Sequence, residues 1–454
     1  MTVCVLDIGK TNVKLVLLDA AGRTLASRSR PNVARPGPPY PHCDVAGIEQ
    51  WVIETLGSLP NRDRITAIVP VAHGCAVGLV AGETLALPML DYEHAGPDET
   101  AAEYDAAADP FALSFTPPLP LGLVLGRQLW WQARRFPEAF ARVTDILPNP
   151  QYWAWRLSGV KATEVTSLGC HSGLWFPASG RLSDLAEREG WAARMPVRRN
   201  AWDALGPLRP DILAATGLDP ACRVLCGAHD SNVSFLAHRA TRAPPFTVVS
   251  TGTWTIVMAA GAALDRLDPA RDMVANVDAL CHPVPTARFM GGREFAAVAG
   301  EAAGATATLA DAARVIGRAT LALPAYVAES GPFAGRPGGI VGPATQTPAE
   351  RVALAGLYLA LMVDVMLDLL GASPPYVVEG PSAADPVFLA ALAGLRAGGE
   401  VVSSQDGTGT GAGALVLADW GTDMARASAD RVVADAGLAG LDGYRALWRT
   451  LLKA

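Results

Sequence analysis

Lysine is scarce in this chain of 454 residues. It occurs at only four positions (Lys10, Lys14, Lys161 and Lys453), and arginine supplies the other basic residues. Acidic residues outnumber basic ones by 44 to 37, and no run of basic residues forms a patch. We therefore expect no binding of duplex nucleic acid and no attachment to an anionic membrane surface. Any anion that the protein binds must be held by a local site.

Cysteines are few and scattered, and long uncharged runs are missing. The seven cysteines form neither a paired CxxC motif nor a Cys/His cluster, which argues against a disulfide framework and a zinc site. Free structural thiols and a cytoplasmic location are expected. The most apolar segment, 352–370, carries Asp364 and Asp368 four residues apart, so it is predicted to be a half-buried helix rather than a membrane span.

The N-terminus has the pattern of a β-hairpin with a polar glycine turn. Apolar residues 3–6 and 13–18 flank the sequence Asp-Ile-Gly-Lys-Thr-Asn between them. Backbone N–H groups of such a turn can bind phosphate oxygens, and a neighbouring Asp can hold Mg²⁺. The turn is not a P-loop, because GxxxxGK[ST] is absent. An ordinary surface hairpin with a polar tip is the alternative.

The same pattern returns in the second half of the chain. Residues 246–258 read as two apolar strands around Ser-Thr-Gly-Thr-Trp-Thr, and Gly252 follows Gly9 by a little over half the chain length. This repetition predicts two domains, 1–243 and 244–454, each opening with a hairpin and a glycine turn. Strands alternate with helical patterns in both halves, and among them are a helical spacing over 121–140 and a short strand at 376–378. This alternation indicates an α/β fold.

An acidic residue follows a short apolar run just before the predicted domain boundary. Asp230 lies in Gly-Ala-His-Asp, after the mainly apolar run 223–226, and could accept a proton from an attacking hydroxyl. The alternative is an Asp that caps a helix beginning at Asn232. Two further segments, 379–382 and the glycine-rich 406–413, could approach a ligand closely, although a plain flexible loop explains the second equally well.

Four ordered motifs carry a family resemblance. Asp-Ile-Gly-Lys-Thr-Asn-Val-Lys, Ala-His-Gly, Gly-Ala-His-Asp and Ser-Thr-Gly-Thr-Trp occur in this order along nearly the whole chain. Together they resemble the FGGY carbohydrate kinases, members of the superfamily that contains actin and heat-shock chaperones. The resemblance implies two ribonuclease-H-like domains flanking a cleft, with ATP and Mg²⁺ between them. The first domain would bind the sugar, and the second would bind adenosine.

The resemblance also implies roles for individual residues. Asp7 corresponds to the metal-associated acid, and Asp230 corresponds to the catalytic base. Nucleotide contacts are implied at Gly9, Lys10, Thr11, Asn12, Lys14, Thr251, Gly252, Thr253, Gly380 and Ser382. Sugar contacts are implied at Ala72, His73, Gly74, Asp91, Gln151 and Asp230. In the sugar loop, Met89 and Glu93 stand where the family has Trp and Arg.

The expected function is ATP-dependent phosphorylation of a hydroxyl of a small ketose. The turn motifs are most similar to those of L-fuculose and L-rhamnulose kinases, which suggests a 6-deoxyketose. The alternatives are a kinase of another polyol such as xylulose or glycerol, an actin-like or chaperone-like ATPase without a sugar acceptor, and an FGGY-like chain that has lost activity. The turn Asp-Ile-Gly-Lys-Thr-Asn also resembles that of type III pantothenate kinases, but the chain length argues against this alternative because that family is much shorter. The oligomeric state is open, and a homodimer is compatible with the resemblance.

Overall fold

Two compact units make up the described chain. The structure, a computed structural model, describes residues 1–404, 409–421 and 430–453. The first unit contains Met1–Ala240, Ala275–Pro283 and the described part of 408–425. The second contains Thr241–Val274 together with the described parts of 284–407 and 426–454. Along the chain, the first unit therefore passes into the second after Ala240. Residues 275–283 and the described part of 408–425 belong to the first unit again.

The described residues contain strands of two to eight residues. Their bounds are β1 Thr2–Ile8, β2 Asn12–Asp19, β3 Thr24–Pro31, β4 Ala67–Ala72, β5 Val77–Ala81, β6 Thr84–Leu87, β7 Asp145–Pro148, β8 Trp175–Phe176, β9 Arg181–Leu182, β10 Ala204–Pro207, β11 Arg223–Leu225, β12 Ala228–His229, β13 Phe246–Thr251, β14 Thr255–Ala260, β15 Met273–Val277, β16 Pro283–Phe289, β17 Leu321–Leu323, β18 Gly339–Val341, β19 Tyr376–Glu379, β20 Val401–Ser403 and β21 Arg431–Val432.

Helices connect these strands. The α-helices of the described residues are α1 Val45–Ser58, α2 Ala101–Ala107, α3 Phe111–Ser114, α4 Leu125–Arg135, α5 Pro137–Ala141, α6 Asn149–Ser158, α7 Val165–Leu168, α8 Asp184–Arg188, α9 Pro210–Thr216, α10 Asp230–Arg239, α11 Gly291–Ala299, α12 Leu309–Gly317, α13 Pro348–Leu370, α14 Pro386–Leu395, α15 Gly409–Ala418 and α16 Leu441–Leu451. Short 3₁₀ helices occur at Arg62–Arg64, Gly96–Thr100, Ala192–Arg194, Leu264–Arg266, Pro269–Arg271, Gly300–Ala302 and Pro381–Ala384.

The main sheets of the two units share one strand order. In the first unit, β3, β2, β1, β4 and β11 lie side by side, and in the second unit β16, β14, β13, β19 and β20 do the same. In both sheets the first three strands are antiparallel and the last two are parallel to the central one. This duplicated topology confirms the predicted α/β fold with two ribonuclease-H-like domains.

The central strand β1 is apolar from Val3 to Leu6 and again at Ile8 because helices cover both faces of its sheet. Cys4, Leu6 and Ile8 pack in a core with residues of α1 and α9. Val3 and Val5, which point to the opposite face, pack with residues of α10 and α15. Successive side chains of a strand alternate between faces, so a sheet covered on both sides needs a continuous apolar run.

The glycine-rich segment 406–413 was predicted to approach a ligand. Residues 406–408 lie outside the described residues, and Gly409 begins α15. A Cβ at Gly413 would overlap the carbonyl oxygen of Val233 on α10. Gly413 therefore allows α15 to pack closely on the helix that begins at Asp230.

Two predicted helices have different outcomes. Residues 121–140 have continuous helical spacing, but α4 ends at Arg135 and α5 starts at Pro137. Proline lacks the N–H that would continue α4 and is well suited to the first turn of a new helix. By contrast, α13 forms as expected. It is the one described helix long and apolar enough to span a membrane, and 83% of its apolar window is buried within the structure.

Candidate active site

Three parallel strands of the first unit end at one edge of the sheet. Ile8 of β1 pairs with Ala72 of β4, and Ala72 also pairs with His229 of β12. The carboxyl ends of parallel strands meet at the same edge, where open α/β sheets bind ligands. This register brings Asp7, which precedes Ile8, to the same edge as Asp230, which follows His229.

The carboxylates of Asp7 and Asp230 interact electrostatically. Burial, which is the largest cause, and the negative charge of Asp230 raise the pKa of Asp7 from 3.8 to about 6. Lys14, which pairs with Asp7 across the hairpin, partly opposes this effect. Two like charges held close together in a partly buried position create a site that favours a bound cation.

Asp230 is the first residue of α10 and is accessible. Its side chain is 32% exposed. Its Oδ1 accepts a hydrogen bond from the backbone N–H of Ser231 at 2.6 Å and lies 3.4 Å from Nε2 of His229. Among the described residues, no hydrogen bond ends on Oδ2. The helix cap is His229, so the alternative in which Asp230 caps a helix starting at Asn232 is wrong.

His229 is buried beside the acid. Its Nδ1 lies 3.2 Å from the side-chain nitrogen of Asn232, which is a donor, so the ring proton is assigned to Nε2. In this tautomer, the protonated Nε2 lies 3.7 Å from the sulfur of Cys170, and Oδ1 of Asp230 is 3.4 Å from the same nitrogen. A Cβ at Gly74 would lie 2.9 Å from Nε2 of His229, so the glycine leaves room for the ring.

His73 follows β4 directly. Its backbone N–H donates to Ile8, and its carbonyl oxygen accepts from the buried side chain of Asn149 at 3.1 Å. Burial lowers the pKa of His73. Its Nδ1 donates to the carbonyl oxygen of Gly74 at 2.7 Å, which leaves Nε2 as an acceptor for a hydroxyl group.

Two residues expected to contact the ligand have other partners. The side chain of Gln151 is fully buried, and its Nε2 donates to the carbonyl oxygens of Cys226 and Gly227. It therefore supports the backbone that leads to Asp230. Lys10, expected in the phosphate turn, forms an ion pair with Asp91.

The first glycine turn is a tight hairpin tip. The backbone N–H of Gly9 donates to the carbonyl oxygen of Asn12 at 2.9 Å, and the side chain of Asn32 donates to the carbonyl oxygen of Gly9 at 2.7 Å. The side chains of Thr11, Asn12 and Lys14 are exposed. They are placed where polar donors could reach a ligand.

The second glycine turn lies at the corresponding edge of the second unit. The hydroxyl of Thr251 donates to the carbonyl oxygen of Glu379 at 2.6 Å and accepts from the N–H of Ser382 at 3.0 Å. Gly380 has φ +79°, and a Cβ there would overlap the carbonyl oxygen of Thr251. Thr251, Gly380 and Ser382 thus hold two strand ends together, while the side chain of Thr253 is exposed.

Sequence reasoning missed a third segment beside this turn. Gly292, in the first turn of α11, donates its N–H to the carbonyl oxygen of Thr253, and a Cβ at Gly292 would overlap the carbonyl oxygen of Gly252. A Gly-Gly pair between an apolar strand and a helix was the available signal. Asn32 was also missed, because a single Asn after a strand carries no pattern.

Comparisons with known proteins agree with this architecture. Residues 243–427 match the model of the carbohydrate kinase FGGY C-terminal domain. A carbohydrate kinase from Novosphingobium aromaticivorans is 37% identical, with 99% of this chain and 98% of that chain covered and a TM-score of 0.91. Xylulose kinase from Lactobacillus acidophilus is 15% identical, with 100% and 98% covered and a TM-score of 0.82. Gluconate kinase from the same organism is 16% identical, with 100% and 97% covered and a TM-score of 0.81. No curated protein sequence matches this chain.

The chain belongs to the FGGY family of carbohydrate kinases. It is an ATP:sugar phosphotransferase, and the family implies ATP as the phosphate donor. This assignment leaves no support for the conformational-ATPase and pantothenate-kinase alternatives.

Proposed function

We propose that Asp230 is the general base of this kinase. Its free Oδ2 takes the proton of an acceptor hydroxyl, the acceptor oxygen forms a bond to the γ-phosphorus of ATP, and the bond from that phosphorus to ADP breaks. The observation that supports this role is the position of Asp230. It is accessible, and its second oxygen is unpartnered among the described residues, at the strand edge that also holds Asp7 and His73.

The carboxylates at this edge suit Mg²⁺. Asp7 and Asp230 are hard oxygen donors. Burial and the negative charge of Asp230 make ionisation of Asp7 unfavourable until a cation is near. When bound, Mg²⁺ would neutralise charge on the ATP phosphates. We propose Asp7 as the metal-associated acid, with Asp230 kept for proton transfer.

Replacing Asp7 with Asn should stabilise the metal-free protein while impairing catalysis. The folded chain has to ionise Asp7 at a raised pKa, so the neutral amide should increase the free energy of unfolding by about 1–3 kcal/mol at pH 7.5 in EDTA. Because the folded-state pKa is raised, wild-type stability is lost as the pH rises from about 4 to 6. The advantage of Asp7→Asn should therefore grow over this range and then stay constant.

Urea unfolding at several pH values, followed by kinase assays with added Mg²⁺, measures both effects. If Asp7→Asn has a lower free energy of unfolding than the wild type in EDTA, then Asp7 and Asp230 do not repel each other in the metal-free protein. Full Mg²⁺-dependent turnover in the variant would contradict the metal role of Asp7.

Nucleotide binding is assigned to both glycine turns. Gly9, Lys14 and the exposed side chains of Thr11 and Asn12 would bind phosphate oxygens in the first domain, 1–243. In the second domain, 244–454, Gly252 and Thr253 would bind phosphate. Thr251, which bonds to Ser382, and Gly380, which approaches the Thr251 carbonyl closely, would shape the turn and the adenosine side together with Ser382.

The acceptor is proposed to be a small ketose. His73, with Nε2 as an acceptor, and Asp91 would hold its hydroxyl groups. The Gly-Thr-Trp turn favours a 6-deoxyketose of the L-fuculose or L-rhamnulose type, and xylulose and glycerol are the main competitors. The cytoplasmic location, the absence of nucleic-acid and membrane partners and the oligomeric state stay predictions from the sequence.

Acceptor-dependent ADP release tests this function. Wild-type protein with Mg·ATP should release ADP slowly alone and at least tenfold faster with one member of a panel of 6-deoxyketoses, ketopentoses, pentitols and glycerol. Phosphorylated product should appear in equal amount to ADP. ADP release that no acceptor stimulates would contradict the proposal.

A further inference from the structure

Lys10 is directed away from the other residues of its turn. Its ammonium group forms an ion pair with Oδ1 of Asp91, lies 3.4 Å from Oε2 of Glu93, and lies 4.8 Å from the centre of the Tyr92 ring. All three partners belong to the segment 91–93, more than eighty residues away in the sequence. Lys14, by contrast, is exposed beside Asp7.

The partners of Lys10 line a small cavity in the first unit. Lys10, Asn32, His73, Asp91 and Tyr92 contribute its polar surface. The Asp91 side chain is only 10% exposed, and its Oδ1 also accepts from the backbone N–H of Glu93 at 3.1 Å. The ring of His73 packs edge-on against Tyr92, with ring centres 5.5 Å apart. The cavity therefore combines an ammonium, a carboxylate, an amide and an imidazole around an aromatic ring.

This set of groups matches an uncharged polyhydroxy compound. Ammonium and amide N–H groups donate to hydroxyl or carbonyl oxygens, whereas carboxylate and neutral imidazole accept from hydroxyls. A phosphate chain would need Lys10 to leave a largely buried carboxylate, and Asp91 would then lie unpaired beside further negative charge.

On the basis of the proposed kinase function, we propose that Lys10, held by Asp91, binds the acceptor, and that the acidic side chains of Asp91 and Glu93 select neutral ketoses and polyols over aldonates. Glu93 is adjacent to the residues that line the cavity and lies 3.4 Å from Lys10. Lys10 carries one positive charge against the two negative charges of Asp91 and Glu93, so this rim of the cavity has a net negative charge. An acceptor that bears a carboxylate is repelled by this rim, while an uncharged one is not. The compact ammonium fits between the two acids, whereas the planar fork of arginine does not reproduce a single-point contact.

Three variants separate this assignment from a phosphate role. Lys10→Met should raise the KM of the best neutral acceptor at least tenfold and change the KM of ATP less than threefold. Lys14→Met, the matched lysine on the same hairpin, should show the reverse pattern. Glu93→Gln, at a side chain that is 61% exposed, should increase kcat/KM for an aldonate relative to the matched neutral ketose by about threefold to tenfold.

The same measurements distinguish failure of the inference about Lys10 from failure of the proposed kinase function. If no acceptor stimulates wild-type ADP release, the kinase proposal fails. If an acceptor works but Lys10→Met changes the KM of ATP more than that of the acceptor, the inference is overturned. Should Lys10→Met fail to fold by circular dichroism, the Glu93→Gln ratio decides, and an unchanged or lower aldonate preference overturns the inference.

Discussion

Substitution of Asp230 by Asn is expected to lower kcat by about 10²–10⁴ and to leave ATP binding intact. A positioned general base contributes a factor of this size, and the amide cannot accept the hydroxyl proton. Asn keeps the shape of the side chain, including the oxygen that accepts from the N–H of Ser231 at 2.6 Å. The start of α10 should therefore be preserved. Steady-state kinetics with the best acceptor and nucleotide binding by calorimetry measure the two effects.

The matched control is Asp211→Asn. Asp211 also lies in the first turn of a helix of the first unit, α9, but its side chain is 63% exposed and forms an ion pair with Arg209. Both substitutions remove one negative charge near a helix N-terminus, so a general effect on helix stability should appear in both. Near-wild-type kcat in Asp230→Asn, or equal losses in the two variants, would sink the assignment of the base.

Substitution of Asp364 by Ala is expected to reduce the free energy of unfolding of the second unit by about 3–5 kcal/mol. Asp364 on α13 is fully buried and binds three arginines from two other segments. Arg445 donates to both carboxylate oxygens at 2.7 Å, Arg449 donates at 2.5 Å, and Arg396 lies at 2.9 Å. Removing the carboxylate leaves the three guanidinium groups with the more exposed Asp368 as their shared counter-charge.

The neighbouring Asp368 provides the control. It lies one turn further along α13 and contacts the same three arginines, but its side chain is 42% exposed. Solvent screens an exposed pair, so Asp368→Ala should cost about 0–1 kcal/mol. Urea unfolding of both variants, with Asp364→Asn as an isosteric neutral variant, gives the comparison. Equal effects at the two positions would show that burial of Asp364 adds nothing.

Local patterns predicted much of the fold. The two hairpins, the long helix α13 and the strand β19 were predicted from apolar periodicity and glycine turns, and the structure has them at nearly the same residues. The continuous helix over 121–140 was wrong, although Pro137 marks the break. Local hydrogen bonding and the alternation of side chains decide these features, and both can be read from neighbouring residues.

The candidate site was predicted less completely. The order of the motifs predicted Asp7, His73 and Asp230 as site residues, and these three lie at one edge of a sheet. The buried position of Gln151 and the bonds of the Thr251 hydroxyl to the segment 379–382 were not predictable. They depend on which strands become neighbours, and no local spacing encodes that.

The two lysines of the first hairpin show most clearly what the sequence determines and what the tertiary structure decides. The sequence by itself determined that two of four lysines lie on one glycine hairpin, beside an acid at the end of a buried strand. Only the tertiary structure decided that they diverge. Lys14 stays beside Asp7 because adjacent strands of a hairpin fix their pairs, whereas Lys10 meets Asp91 because chain folding brings a distant buried carboxylate within reach, and such a carboxylate requires a counter-charge.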